Sequence, residues 1–66
     1  MDIGNKLKKL RTECKLTQEE LGEKCDLTKG FISQIERNLS SPSIATLSDI
    51  LTCMGSSLKE FFNDME

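Results

Sequence analysis

The stretch Gln18-Glu19-Glu20-Leu21-Gly22-Glu23-Lys24-Cys25-Asp26-Leu27-Thr28-Lys29-Gly30-Phe31-Ile32-Ser33-Gln34-Ile35-Glu36 decides the fold. Counted from Gln18, apolar side chains fall at the fourth, eighth, tenth, fifteenth and eighteenth places, at Leu21, Cys25, Leu27, Ile32 and Ile35. The fifth place is Gly22. Two helices joined by a three- or four-residue turn cross at roughly 90 to 120° and need a small residue at their closest approach. Thr17 and Glu20 have capping-box spacing, in which hydroxyl and carboxylate each satisfy an orphan backbone N–H at the start of a helix. That helix is predicted from Gln18 to about Cys25, and Thr28 is the N-cap of the next. Between them Asp26 must turn the chain; aspartate tolerates left-handed backbone angles better than most residues, and Leu27 fills the angle.

Outward from this pair, the same periodicity continues. Ile3, Leu7, Leu10 and Cys14 recur at intervals of four, three and four, one stripe of a helix whose other faces hold Lys6, Lys8, Lys9 and Arg11. Downstream, Leu39-Ser40-Ser41-Pro42-Ser43 is a polar loop in which Ser41 is the expected N-cap and Pro42 the expected first helical residue. The helix that follows turns Ile44, Leu47, Leu51 and Met54 inward and stops at Gly55. Ser57 and Glu60 form a second capping box, opening a last helix with Leu58, Phe61, Phe62 and Met65. No strand alternation, repeat or long linker interrupts the pattern. The expectation is an all-α fold, a compact five-helix bundle with residues 1–66 as a single domain.

The composition bounds the function. A chain of 66 residues buries only about 60% of the surface that its unfolded form exposes, so the core must be economical. Hydrophobic residues at 36% and charged residues at 30% are those of an ordinary globular domain. No apolar run approaches a bilayer span, and Met1 to Lys6 lacks the order of a secretion signal, which predicts a cytoplasmic protein without a membrane partner. Cys14, Cys25 and Cys53 are odd in number, form no C-x-x-C pair and stand at positions expected to face inward, so they read as reduced, small hydrophobes. The chain has no His, no phosphate-binding glycine loop and no nucleophile-base pair, and the expectation is no enzyme, no metal and no cofactor. Net charge is -2, unevenly placed: residues 1 to 38 carry eight Lys/Arg against seven Asp/Glu, and residues 39 to 66 carry one against four. A basic contact surface is permitted on the N-terminal part, yet charge alone does not separate a nucleic-acid binder from any domain with solvated charges.

Three segments in order carry a resemblance: Leu16-Thr17-Gln18-Glu19-Glu20-Leu21, then Ile32-Ser33-Gln34-Ile35-Glu36-Arg37, then Ser41-Pro42-Ser43 leading into a helix. In these, and from about Ile3 to Phe62, the sequence resembles the Cro/repressor-type helix-turn-helix regulators. Asp26 and Asn38 depart from the glycines common in that family. The resemblance implies a lambda-repressor-like DNA-binding domain with its helix-turn-helix motif at about 18–37 and a recognition helix, about 28–37, in the major groove. By that implication Thr28, Lys29, Gly30, Ser33 and Gln34 face base edges. Residue chemistry agrees, since Gln can pair bidentately with adenine, Lys can donate to guanine or phosphate, and Ser can do either. Thr17, Gln18, Arg37, Asn38, Ser40, Ser41 and Ser43 are the implied contacts to the DNA backbone, with Lys6 and Arg11 as further candidates. Arg11 and Glu36 are the implied structural pair, tying the first helix to the recognition helix.

Each residue also has a plainer reading. Gln34, Ser33 and Lys29 on a helix surface are in most proteins merely solvated, and Phe31 belongs more naturally at a core edge than against a thymine methyl. Phe61 and Phe62 point about 100° apart on a helix, so both are buried only if the packing stripe is wide or a partner covers one. The sharper alternative is a homodimer built through Phe61, Phe62 and Met65, placing two recognition helices about 34 Å apart on a palindromic operator. The functional expectation is a sequence-specific double-stranded DNA-binding regulator, most simply a repressor. Three alternatives remain: a small phage or restriction-modification controller, the excised DNA-reading domain of a larger sensor-linked regulator, and a protein-interaction module such as an antitoxin.

Overall fold

Five helices make up the regular structure of residues 2–63, the part that the computed structural model describes. In chain order they are α1 (Ile3–Glu13), α2 (Gln18–Cys25), α3 (Lys29–Glu36), α4 (Ile44–Cys53) and α5 (Leu58–Asn63), with no strand among the described residues. One core holds them together: Leu7, Leu21, Ile32, Ile35, Leu47, Ile50, Leu51 and Phe61 are all buried, contributed by every helix. Ile3, Leu10, Leu16, Cys25, Leu27, Phe31, Phe62 and others pack around its rim. Phe31 is thus a core-edge residue.

The helix starts follow the sequence chemistry. Thr17 and Glu20 complete a reciprocal capping box, with Glu20 N donating to Thr17 Oγ1 at 3.0 Å and Thr17 N donating to Glu20 Oε1 at 2.8 Å. Thr28 Oγ1 accepts from Phe31 N at 3.0 Å. Ser57 Oγ accepts from Glu60 N at 3.2 Å.

Four helix ends share one device. Lys15, Asp26, Asn38 and Gly55 follow α1, α2, α3 and α4 respectively, and each has positive φ, between 60° and 75°. The next residue in every case turns its N–H back onto the last helical turn: Leu16 to Arg11 O, Leu27 to Gly22 O, Leu39 to Gln34 O and Ser56 to Leu51 O. These are Schellman closures, which satisfy carbonyls that a helix end leaves orphaned. Only one of the four positions is glycine, so three closures carry left-handed strain of about 1 to 2 kcal/mol each, least where Asn or Asp stands.

The close approaches set two further positions. A Cβ on Gly22 would lie 2.7 Å from Leu27 O, so the α2–α3 turn closes against a bare backbone. A Cβ on Gly4 would lie 2.5 Å from Ile35 O and 2.7 Å from Glu36 O, which puts the first turn of α1 directly on the end of α3.

Four expectations from the sequence are corrected. The N-cap of α4 is Ser43, not Ser41: Ser43 Oγ accepts from Thr46 N at 3.1 Å, and Pro42 lies outside the helix. Ile44 consequently occupies the first helical position and is 65% exposed rather than inward; the inward stripe is Leu47, Ile50 and Leu51. Cys14 is exposed, because α1 stops at Glu13 and the chain turns away at Lys15. Cys25 and Cys53 are half-buried at the rim of the core.

Candidate nucleic-acid interface

The site is built from the inside. Arg11 and Glu36 are each only 8% exposed, on helices that no local hydrogen bond joins. Arg11 Nε donates to Glu36 Oε2 at 2.6 Å and Nη2 to Glu36 Oε1 at 3.1 Å, a two-point fork between α1 and α3. Arg11 Nη1 also donates to Leu16 O at 2.8 Å, and Gln18 Nε2 donates to Glu36 Oε1 at 3.0 Å. One carboxylate therefore holds the end of α1, the start of α2 and the end of α3. No buried side-chain polar atom among the described residues is left without a partner. Such closure matters because a half-satisfied buried charge destabilises strongly.

A second tie joins α1 to α3 at the surface. Gly4 N donates to Asn38 Oδ1 at 3.1 Å, and Asn38 Nδ2 donates to Asp2 Oδ1 at 2.7 Å. Asp2 is also the N-cap of α1, accepting from Asn5 N at 2.9 Å. The hydrogen bond from Asn38, then that from Asn5, holds the Asp2 carboxyl below its ordinary 3.8. Sequence reasoning assigned Asn38 to the DNA backbone and missed this tie; no local spacing relates residues 36 apart.

With its inner face so anchored, α3 turns a polar face outward. Thr28, Lys29, Gly30, Gln34 and Arg37 are exposed and Ser33 is partly buried, while Ile32, Ile35 and Glu36 face the core. A Cβ on Gly30 would meet nothing closer than Thr28 Oγ1 at 4.0 Å, so the fold does not require glycine there. Of the other predicted residues, Thr17 is exposed at the start of α2 with Gln18 partly buried beside it. Ser40, Ser41 and Ser43 lie in the loop between α3 and α4, Ser43 with its hydroxyl engaged in capping. Leu39, in the same loop, is 65% exposed, an apolar residue off the helical period that the sequence reading passed over.

The terminal aromatic pair divides. Phe61 is 2% exposed and spent on the protomer's own core, so it is not available to a partner; Phe62 is half-buried, its ring 5.1 Å from that of Phe61 in an edge arrangement. Met65 lies outside the described residues.

The helix-turn-helix family profile matches residues 7–61, nearly the whole of this arrangement. The chain belongs to the helix-turn-helix family of Cro/repressor-type regulators. Among relatives, the control protein C.MunI of Mycoplasma sp is 41% identical over 97% of this chain and 88% of its own length. The immunity repressor of Bacillus phage phi105 is 38% identical over 83% of this chain, but this match spans only 38% of the repressor. A crystal structure of a point mutant of the restriction-modification controller protein C.Esp1396I superposes with a TM-score of 0.88 at 35% identity, covering 94% of this chain and 83% of that one. The matched span includes α2 and α3 whole, and α3 is the helix held through Glu36 by Arg11 and Gln18. No helix among the described residues is long and apolar enough to cross a membrane.

Proposed function

We infer that this helix-turn-helix chain binds double-stranded DNA at a specific operator and regulates transcription, as a repressor, in the cytoplasm. The observation that carries the reading is the division of α3: its core face is locked by the Arg11–Glu36–Gln18 network, and its outer face presents Lys29, Gly30, Ser33 and Gln34. A rigidly held helix with an uncommitted polar face suits major-groove reading, in which side chains meet base edges at fixed positions. Gln34 is the proposed adenine reader, with Thr28, Lys29, Gly30 and Ser33 beside it. Thr17, Gln18, Arg37, Ser40, Ser41 and Ser43 are the proposed phosphate contacts, which set register rather than sequence. Asn38 is better suited to holding α1 on α3, since its amide already spans Gly4 and Asp2.

The functional unit on this reading is a homodimer on a palindromic site, with Phe62 rather than Phe61 offering aromatic surface. The named relatives, a control protein, a phage immunity repressor and a restriction-modification controller, support a regulator that acts through DNA. An interaction module of the antitoxin kind has no comparable support. Selection of bound duplexes from a random pool at moderate salt tests the proposal. A palindrome is expected, and Gln34→Ala should lose preference at one base per half-site, worth about 1 to 3 kcal/mol, with the circular dichroism spectrum unchanged. Enrichment of no sequence at any salt would overturn it.

A further inference from the structure

The C-termini of α2 and α4 each end on a cysteine, Cys25 and Cys53, and α2 and α4 pack against one another. Both thiols are free and half-buried at the rim of the core. Cys53 Sγ donates to Lys24 O at 3.4 Å, which places it against the residue that precedes Cys25. The Cys53 side chain in turn bears on the Cys25 thiol, one of the causes that push it up from its ordinary value. The Cys53 sulfur therefore stands beside Cys25 at the mouth of the α2–α3 turn. The third cysteine stands on the other side of Cys53: Cys14 is exposed at the end of α1, its Sγ 3.8 Å from the carbonyl oxygen of Met54, the residue after Cys53.

We propose that Cys25 and Cys53 are a redox-modification site, converted by a low-molecular-weight disulfide into an intramolecular disulfide that staples α2 to α4. A disulfide needs its two Cα atoms within about 7 Å of one another, and the Cys53 sulfur, 3.4 Å from the Lys24 carbonyl oxygen, already stands against the backbone that carries Cys25. Burial first, then the neighbouring Cys53 and Asp49 side chains, push the Cys25 thiol up to about 12, so Cys25 is the sulfur that attacks second. The Cys53 thiolate displaces one thiol from the small disulfide and forms a mixed disulfide. Cys25, on losing its proton, attacks the Cys53 sulfur and displaces the second thiol. The protein dithiol is oxidised by two electrons, and the small disulfide is reduced to two thiols that carry off the two protons.

The bond encloses α3 and α4 entire, together with the turn before α3 and the loop between the two helices. Closing a loop of roughly 30 residues restricts the unfolded chain and raises the melting temperature of a domain this small by about 10 °C or more. The site is thus a switch for the persistence of the α3 fold under oxidation.

The test incubates the full chain, and a Cys14→Ser variant of it, with glutathione disulfide, followed by intact mass, peptide mapping and thermal unfolding. The expected product has lost about 2 Da, carries no glutathione, maps to a Cys25–Cys53 cross-link in both proteins and melts higher by about 10 °C or more. Cys25→Ala and Cys53→Ala should each abolish the mass loss and the shift, and their circular dichroism spectra before oxidation show that the reduced fold persists. A stable glutathione adduct on either cysteine, a cross-link through Cys14, or a bridge that leaves the melting temperature unchanged or lower would overturn the proposal.

Discussion

Replacing Arg11 with methionine removes the guanidinium that donates to Glu36 at 2.6 Å and 3.1 Å and to Leu16 O at 2.8 Å. Glu36, only 8% exposed, then keeps the Gln18 amide as its hydrogen-bond donor. Stranding one half of a buried ion pair destabilises by about 3 to 5 kcal/mol. A 66-residue domain has roughly 3 to 10 kcal/mol in all, at about 0.05 to 0.15 kcal/mol per residue. Arg11→Met is therefore expected to bring the domain near its unfolding threshold. Glu36→Leu, which strands the guanidinium instead, should do the same. The double variant strands neither charge and should be more stable than either single one, because apolar side chains of similar volume often replace a buried pair at no net loss. Urea unfolding followed by circular dichroism is the assay, since the chain has no Trp or Tyr to report by fluorescence. With a denaturant slope near 1 kcal/mol per molar for so small a protein, each single substitution lowers the midpoint by about 3 M. Single penalties below about 1 kcal/mol, the range of an exposed pair, or a double variant as unstable as the sum of the singles, would refute the reasoning that this fork holds α3 in place.

Three further outcomes follow from backbone and surface geometry. Lys15→Gly relieves the most strained of the left-handed closures, at φ 61°, and should stabilise by about 1 kcal/mol, read as a raised urea midpoint. Gly22→Ala should destabilise by about 2 kcal/mol or more, an overpacking penalty, because its methyl would meet Leu27 O at 2.7 Å. Gly30→Ala, with 4.0 Å to its nearest neighbour, should stabilise by about 0.5 to 1 kcal/mol, so any loss of operator binding in it reports on DNA approach and not on folding. The lowered Asp2 carboxyl contributes stability that is present above its unfolded value of 3.8 and lost as pH falls through the lower folded value. Acid titration of Asp2→Asn should accordingly lack that part of the wild-type decline, measured as the difference between the two curves below pH 4.

Much of the scaffold is local chemistry and could be read without coordinates. The capping box at Thr17, the cap at Thr28 and the left-handed turn at Asp26 depend on residues within three or four of one another, and so do the inward positions of Leu21, Ile32 and Ile35. Where several serines compete over a short stretch, as at Ser41 and Ser43, composition does not choose among them. The choice fell to Ser43 because Leu47, Ile50 and Leu51 must reach the core in register, and that leaves Ile44 outside.

By itself, then, the sequence determined five helices, their order, and the α2–α3 unit with one polar face, since periodicity and capping act within a turn or two of helix. Only the tertiary structure decided what that unit rests on. Arg11 meets Glu36 across 25 residues, Asn38 reaches Gly4 across 34, and the Cys53 sulfur comes to Lys24 across 29. Phe61 is drawn inside while Phe62 stays at the rim. These pairings arise when the helices close on a shared core, and no residue's neighbours along the chain encode which distant carboxylate, amide or thiol will be there to meet it.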